Sequence, residues 1–149
     1  MATFEYTDTF DSPAAAVFAL LTDLEVRPTW IAGILEVCVT PPGPARLGTS
    51  YFEAGEFSGF KSKKTMIVTE FEQDRLLTMT TPAEASNPFR ESYRIEPLSE
   101  GVCGVHFTVD VGNVSKLTEY FMRPAMKKDQ PKNAARLKSI LASRTQEAS

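Results

Sequence analysis

The sequence predicts an α+β fold: a meandering antiparallel sheet of about seven strands, two short helices after the first strand, and one long C-terminal helix. Three observations carry this reading. Apolar and polar residues alternate through residues 3–10 and through most of 34–111, the period of strands with one buried face. Turn-sized segments separate the later strands, which suits hairpin pairing of neighbours rather than crossover units. Helical spacing occurs only between residues 14 and 32 and from about Leu117 onward.

Each element has its own signal. In residues 3–10, Phe4, Tyr6, Asp8 and Phe10 share one parity and Thr3, Glu5, Thr7 and Thr9 the other. Ser12-Pro13 reads as an N-cap with proline at the first helical position. Val17, Phe18, Leu21 and Leu24 then mark a helix running to about Asp23. A second short helix spans Arg27 to Ala32, with Pro28 early and Gly33 just past its end. From Ile34 the period becomes two: Leu35, Val37 and Val39 share the inward parity of a strand closed by Pro41-Pro42-Gly43-Pro44. Gly48 to Phe57 turns at Ser58-Gly59 into Phe60 to Glu72, and Gln73-Asp74 leads into Arg75 to Thr81. After a loop over 82–88 come Phe89 to Leu98 and Val102 to Val111, joined by Ser99-Glu100-Gly101. Leu117, Tyr120 and Phe121 form a lead-in to the last helix, whose main part begins at Pro124. Its inward stripe is Met126, Asn133 or Ala134, Leu137, Ile140 and Leu141. Pro131 lies inside it and predicts a bend near residues 127–131.

At 149 residues the chain has the size of one domain, read as 1–149, and can bury a core without staples. With 42% hydrophobic and 23% charged residues, its composition is that of a chain that folds. The first residues show neither a basic leader nor an apolar run of signal-peptide length. The longest apolar cluster, Ala14 to Leu21, is too short to cross a bilayer, so no integral membrane segment is expected. Cys38 and Cys103 read as a buried pair of free thiols, which fits a cytoplasmic protein. The net charge of −3 is unevenly spread, because residues 123–144 carry seven basic side chains against Asp129 alone. No aromatic residues interleave them as in base-stacking surfaces, so the segment reads as a solvated helix face and excludes nucleic acid as a partner.

The pattern as a whole resembles the START-related, birch-pollen-allergen-like (SRPBCC) superfamily, in particular its polyketide cyclase/dehydrase-like branch. The carriers are the opening strand into Ser12-Pro13-Ala14-Ala15-Ala16-Val17-Phe18, Trp30 before Gly33-Ile34, Val68-Thr69-Glu70-Phe71-Glu72, Arg75-Leu76-Leu77, and Ala135 to Leu141 near the end. The resemblance implies a helix-grip fold, in which a strongly curved sheet grips the terminal helix around a cavity. The two short helices then close one end, and Trp30 and Phe121 frame the cavity mouth. It also implies a small hydrophobic ligand: a lipid, a quinone or a polyketide-like molecule.

Candidates for chemistry are few. His106 is the only histidine, and its parity opposes the apolar set of its strand, so it faces solvent. No Gly-x-Ser-x-Gly elbow, no zinc-ligand spacing and no phosphate-cradling loop is present, so neither metal nor cofactor is expected. Two carboxyls stand at apolar parity, Asp8 between Tyr6 and Phe10, and Glu91 between Phe89 and Tyr93. A carboxyl in an apolar pocket has its charged form disfavoured and can serve as a general acid or base, with Tyr93 as a donor. The plainer alternative is that these carboxyls turn outward or pair with arginines such as Arg90 or Arg94. For ligand binding the candidates are the aromatic residues Trp30, Tyr51 and Phe71, then Phe89, Tyr93, Phe107 and Phe121.

Three functions follow from these features. The first is binding of a small hydrophobic molecule. The second is a cofactor-independent cyclase or dehydratase using buried carboxyl and tyrosine groups. The third is a protein-interaction module using the basic terminal helix. A homodimer through the sheet edge or helix ends is compatible with all three.

Overall fold

The computed structural model describes residues 2–57 and 60–148, so the Ser58-Gly59 turn lies outside the described residues. Strand β1 (Ala2–Phe10) leads into α1 (Ala14–Thr22), a single 3-10 turn (Leu24–Val26) and α2 (Arg27–Trp30). Six strands follow: β2 (Ile34–Thr40), β3 (Ser50–Phe57), β4 (Phe60–Glu72), β5 (Leu76–Thr80), β6 (Phe89–Ser99) and β7 (Val102–Val111). Helix α3 (Lys116–Ala148) comes last. The strands form one sheet in the order β1-β7-β6-β5-β4-β3-β2, and every pair is antiparallel. This is the predicted meander, with β1 returning to pair along the whole of β7 from Ala2↔Val111 to Phe10↔Cys103.

Alternation places one face of this sheet inside. Lys64, Met66 and Val68 of β4, Leu77 and Met79 of β5, and Cys103, Val105 and Phe107 of β7 share that face, and all but Lys64 are buried. Register shifts interrupt the ladders at Ile34/Glu36, Val68/Glu70 and Pro97/Ser99. Such bulges bend a strand and increase its twist, which curls the sheet toward its inner face.

The bulge in β2 also corrects one expectation. Leu35 is 72% exposed, while Ile34 and Val39 are buried, because the extra residue shifts the alternation by one. Cys38, at the parity opposite to Val37 and Val39, is exposed, so of the two free thiols only Cys103 is buried, not the pair expected. The α1 start shifts by one residue too. Pro13, not Ser12, is the cap: its carbonyl accepts from the amides of Ala16 and Val17 at 3.0 and 3.2 Å. The helix expected to reach Ala32 stops at Trp30, and Gly33 takes a φ of 94° that a residue with a Cβ adopts only at a cost.

At the C-terminus the lead-in and the main helix are one element. α3 starts beside Ser115, whose Oγ accepts from the Thr118 amide at 3.1 Å, and runs helical through both Pro124 and Pro131. Its two halves are held differently. Ala134, Leu137 and Leu141 are buried in the main core with Phe10, Val17, Phe18 and Leu21. The first half reaches a smaller cluster of Ala2, Phe4 and Val109 through the half-buried Met122 and Met126. No described helix is long and apolar enough to cross a membrane.

Candidate functional site

A buried ionic cluster occupies the inner face of the sheet. Arg27, the first residue of α2, is 1% exposed and points its guanidinium at the sheet. Its Nε donates to Glu53 Oε2 at 2.7 Å, its Nη2 to Glu91 Oε2 at 2.6 Å, and its Nη1 to the Tyr93 hydroxyl at 2.7 Å. Tyr93 in turn donates to the same Glu91 oxygen at 2.7 Å. Glu53 also meets Lys64, its cross-strand partner, at 3.3 Å. The Lys64 ammonium lies 4.1 Å from the centre of the Phe89 ring. Glu53 is on β3 and Glu91 on β6, three strands away, which is roughly 14 Å on a flat sheet. One guanidinium bridges them because the curled sheet aims their side chains at a common point.

The charges within this cluster balance, with Arg27 and Lys64 set against Glu53 and Glu91. Burial disfavours the charged guanidinium, but the carboxylates of Glu53 and Glu91 more than offset it, so Arg27 stays charged. Burial likewise pushes Glu53 up, yet attraction to Arg27 and Lys64 wins and holds its carboxyl below the ordinary 4.5. Burial raises Tyr93 well above its usual range, which keeps its proton in place as a donor. A carboxyl whose folded pKa is depressed adds stability above its ordinary value, and that stability is lost as pH falls through the folded one. Urea denaturation between pH 7 and pH 3 is therefore expected to show a stability that declines below about 4.5. Glu53→Gln should start lower and decline less steeply. An identical slope in the two proteins would show that Glu53 does not drive the acid response.

The residues singled out by parity fall into two groups. Glu91 and Tyr93 meet in the cluster, with an arginine from α2 as partner instead of Arg90 or Arg94. Arg90 faces the other side and pairs with Glu70 at 2.7 Å and Asp110 at 3.6 Å. Asp8 is elsewhere, half-buried on β1. It accepts from the Tyr6 hydroxyl at 2.8 Å and from Lys138 of α3 at 2.9 Å. Burial pushes its carboxyl up, but Lys138, Tyr6 and the Thr9 amide together bring it below the ordinary value. The expectation of a raised Asp8 pKa is thus reversed, and Asp8 is a charged strut between sheet and helix. His106 is half-exposed and bonded to Thr7 at 2.7 Å and Glu5 at 3.0 Å on the outer face.

Among the aromatic residues, Trp30, Tyr51, Tyr93 and Phe107 are buried, and Phe71 and Phe89 are half-buried against the same core. Trp30 and Phe107 flank the Tyr93 ring at 6.0 and 5.6 Å between centroids. Tyr51 lies under the guanidinium, 5.5 Å from Arg27 Cζ. Phe121 is the exception, 67% exposed on the outer side of α3 and absent from this group. It falls outside because α3 turns its Leu117–Phe121 stretch away from the sheet. Two polar atoms in the group have no hydrogen-bond partner among the described residues: the Trp30 indole N–H and the Tyr51 hydroxyl, on residues 3% and 1% exposed.

The sequence reading missed Arg27, Glu53 and Lys64. Glu53 shares parity with Tyr51, and Lys64 with Met66, so the rule that marked Glu91 would have marked both. Arg27 had no such signal, since a four-residue helix has no period to read. Only the presence of two inward carboxylates demanded a cation there.

A curved antiparallel sheet closed by two short helices and a long terminal helix defines the helix-grip class, here with a buried arginine at its centre. The chain belongs to the polyketide cyclase / dehydrase and lipid transport family, whose model matches residues 1–142. Among solved structures it is similar to a START superfamily protein from Mycobacterium smegmatis, with a TM-score of 0.78 at 12% identity, covering 96% of this chain and 99% of that one. The Zhui aromatase/cyclase from a Streptomyces species gives 0.71 at 15% identity, covering 99% and 95%. Norcoclaurine synthase from Thalictrum gives 0.70 at 8% identity, covering 96% and 95%. At these identities the likeness is one of fold. No curated protein matches the sequence.

Proposed function

We propose that the protein binds a small, neutral, largely apolar molecule that carries a hydrogen-bond acceptor oxygen, in a cavity between the sheet and α3. The observation that carries this reading is the pair of unpartnered buried donors, Trp30 Nε1 and the Tyr51 hydroxyl, beside an ionic cluster of no net charge. A buried donor without a partner costs about 1–3 kcal/mol, which an acceptor on a ligand recovers. A third such donor, Gln130 Nε2, comes from the helix side. Of the ligand classes the family suggests, quinones and polyketide-like ketones supply acceptor oxygens on an apolar frame. A free carboxylate suits the site less, since both cations already have carboxylate partners.

Native mass spectrometry of the purified protein, followed by organic extraction, is expected to recover a neutral molecule with keto, quinone or phenolic oxygens. Tyr51→Phe separates binding from folding. It removes a hydroxyl that has no hydrogen-bond partner among the described residues, so stability should hold or rise, while affinity for the extracted ligand falls about five- to tenfold. Empty protein whose melting temperature ignores a panel of aromatic ketones and quinones would overturn the proposal.

A second reading, a cyclase or dehydratase working without cofactor, draws support from Tyr93, a protonated donor held between Arg27 and Glu91. Incubation of the identified ligand class with the protein, with Tyr93→Phe as control, decides it. Turnover lost in that variant would favour the enzyme, and unchanged ligand would leave the binding protein.

A further inference from the structure

The outer face of α3 carries a surface that neither the core nor the buried cluster uses. Leu117, Tyr120 and Phe121 are 67%, 72% and 67% exposed. Their spacing, with Tyr120 three and Phe121 four residues after Leu117, puts them on one face of the helix. The two rings touch edge to face at 5.6 Å beside a surface depression of about 460 Å³, which Lys116, Arg123 and Pro124 also line. Two turns further along, at the seven-residue spacing that returns to the same face, stand Lys127 and Lys128, followed by Lys132. All three are exposed. The nearby acids do not neutralise this row. Glu119 is bonded to Arg123 at 3.2 Å, and Asp129 is half-buried.

An aromatic and aliphatic tip followed by a row of exposed cations is the pattern of a helix that settles into the interface of an anionic bilayer. A second copy of the chain fits less well. A two-fold contact centred on the tip leaves the lysines unpaired, and one centred on the row sets like charges against each other. We propose that the first five turns of α3 dock the protein on an anionic lipid surface. Leu117, Tyr120 and Phe121 enter the headgroup layer while Lys127, Lys128 and Lys132 meet lipid phosphates. This docking does not depend on the interior ligand.

Co-sedimentation with vesicles tests it, using phosphatidylcholine alone and phosphatidylcholine mixed with phosphatidylglycerol. Binding is expected only to the mixed vesicles, weakening as salt rises. Replacing Lys127, Lys128 and Lys132 by glutamine should lower it by about fivefold per charge. Leu117→Ser with Phe121→Ser should lower it by about tenfold or more, with the melting temperature unchanged because these side chains are exposed. Equal binding to both vesicle types, or no binding to either, would overturn the proposal. So would a dimer in analytical ultracentrifugation that disappears in the Leu117/Phe121 variant. Affinity for polyglutamate equal to that for mixed vesicles would reassign the surface to an acidic protein partner.

Discussion

Arg27→Met is expected to cost roughly 3–5 kcal/mol of folding stability, the largest loss of any single polar substitution in this chain. The methionine fills much of the same volume, so the cost is mainly one of charge. Without the guanidinium, Glu91 keeps only the Tyr93 hydroxyl as a partner, and Glu53 keeps Lys64. A buried carboxylate stripped of its cation answers by holding a proton, so its folded pKa rises. That reverses the pH response. A carboxyl raised on folding contributes stability at low pH and loses it as pH rises, so Arg27→Met should be more stable at pH 5 than at pH 7. The wild type should show no such gain on acidification, because its Glu53 carboxyl is held low. Replacing Arg27 by methionine together with Glu91 by glutamine should regain most of the loss, because Glu53 keeps Lys64 and no buried carboxylate is left without a cation. Urea titrations at the two pH values measure both effects. A loss below about 1 kcal/mol would mean that the cluster is hydrated and that the interior is wetter than its burial implies.

The fold was legible because it rests on periodicities that single residues do not disturb. Alternation along β1, β4, β6 and β7 stated which face was inside, and the turn segments stated which strands were neighbours. The errors fell where one extra residue or one missing turn changes the phase. The bulge at Ile34/Glu36 inverted the expected inward parity at Leu35, and the cap at α1 moved from Ser12 to Pro13. The candidate site was half legible for the same reason. Parity brought Glu91 and Tyr93 to the inner face correctly, and it held Glu53 and Lys64 as well, where the polar residue type hid them. What parity cannot convey is convergence. That one side chain from α2 reaches both β3 and β6 follows from the curl of the whole sheet, which is a tertiary quantity. Phe121 failed in the opposite way, since its aromatic character suggested the interior while its position on the helix turned it outward.

The two halves of α3 should respond to truncation very differently. Leu137→Ala is expected to cost roughly 2–5 kcal/mol, since Leu137 is fully buried in the main core and its loss leaves a cavity between helix and sheet. Phe121→Ala, which removes a larger side chain, should change stability by only about 0.5 kcal/mol, because that ring lies in solvent. The contrast follows from what holds the helix in place. Pro124 and Pro131 each remove one backbone hydrogen bond from its first half, and that half meets the sheet through half-buried side chains such as Met122 and Met126 and through the exposed Arg123 over the Phe4 ring. Intrinsic helix propensity therefore contributes little, and the order of α3 comes from the anchor at Ala134, Leu137 and Leu141. Amide hydrogen exchange separates this from a uniform loss of stability. In Leu137→Ala the α3 amides should lose protection while β6 and β7 keep most of theirs, since the helix can open without dismantling the sheet. Loss of protection spread evenly over both would mean that α3 and the sheet unfold as one unit, and that the interior opens only when the whole fold does.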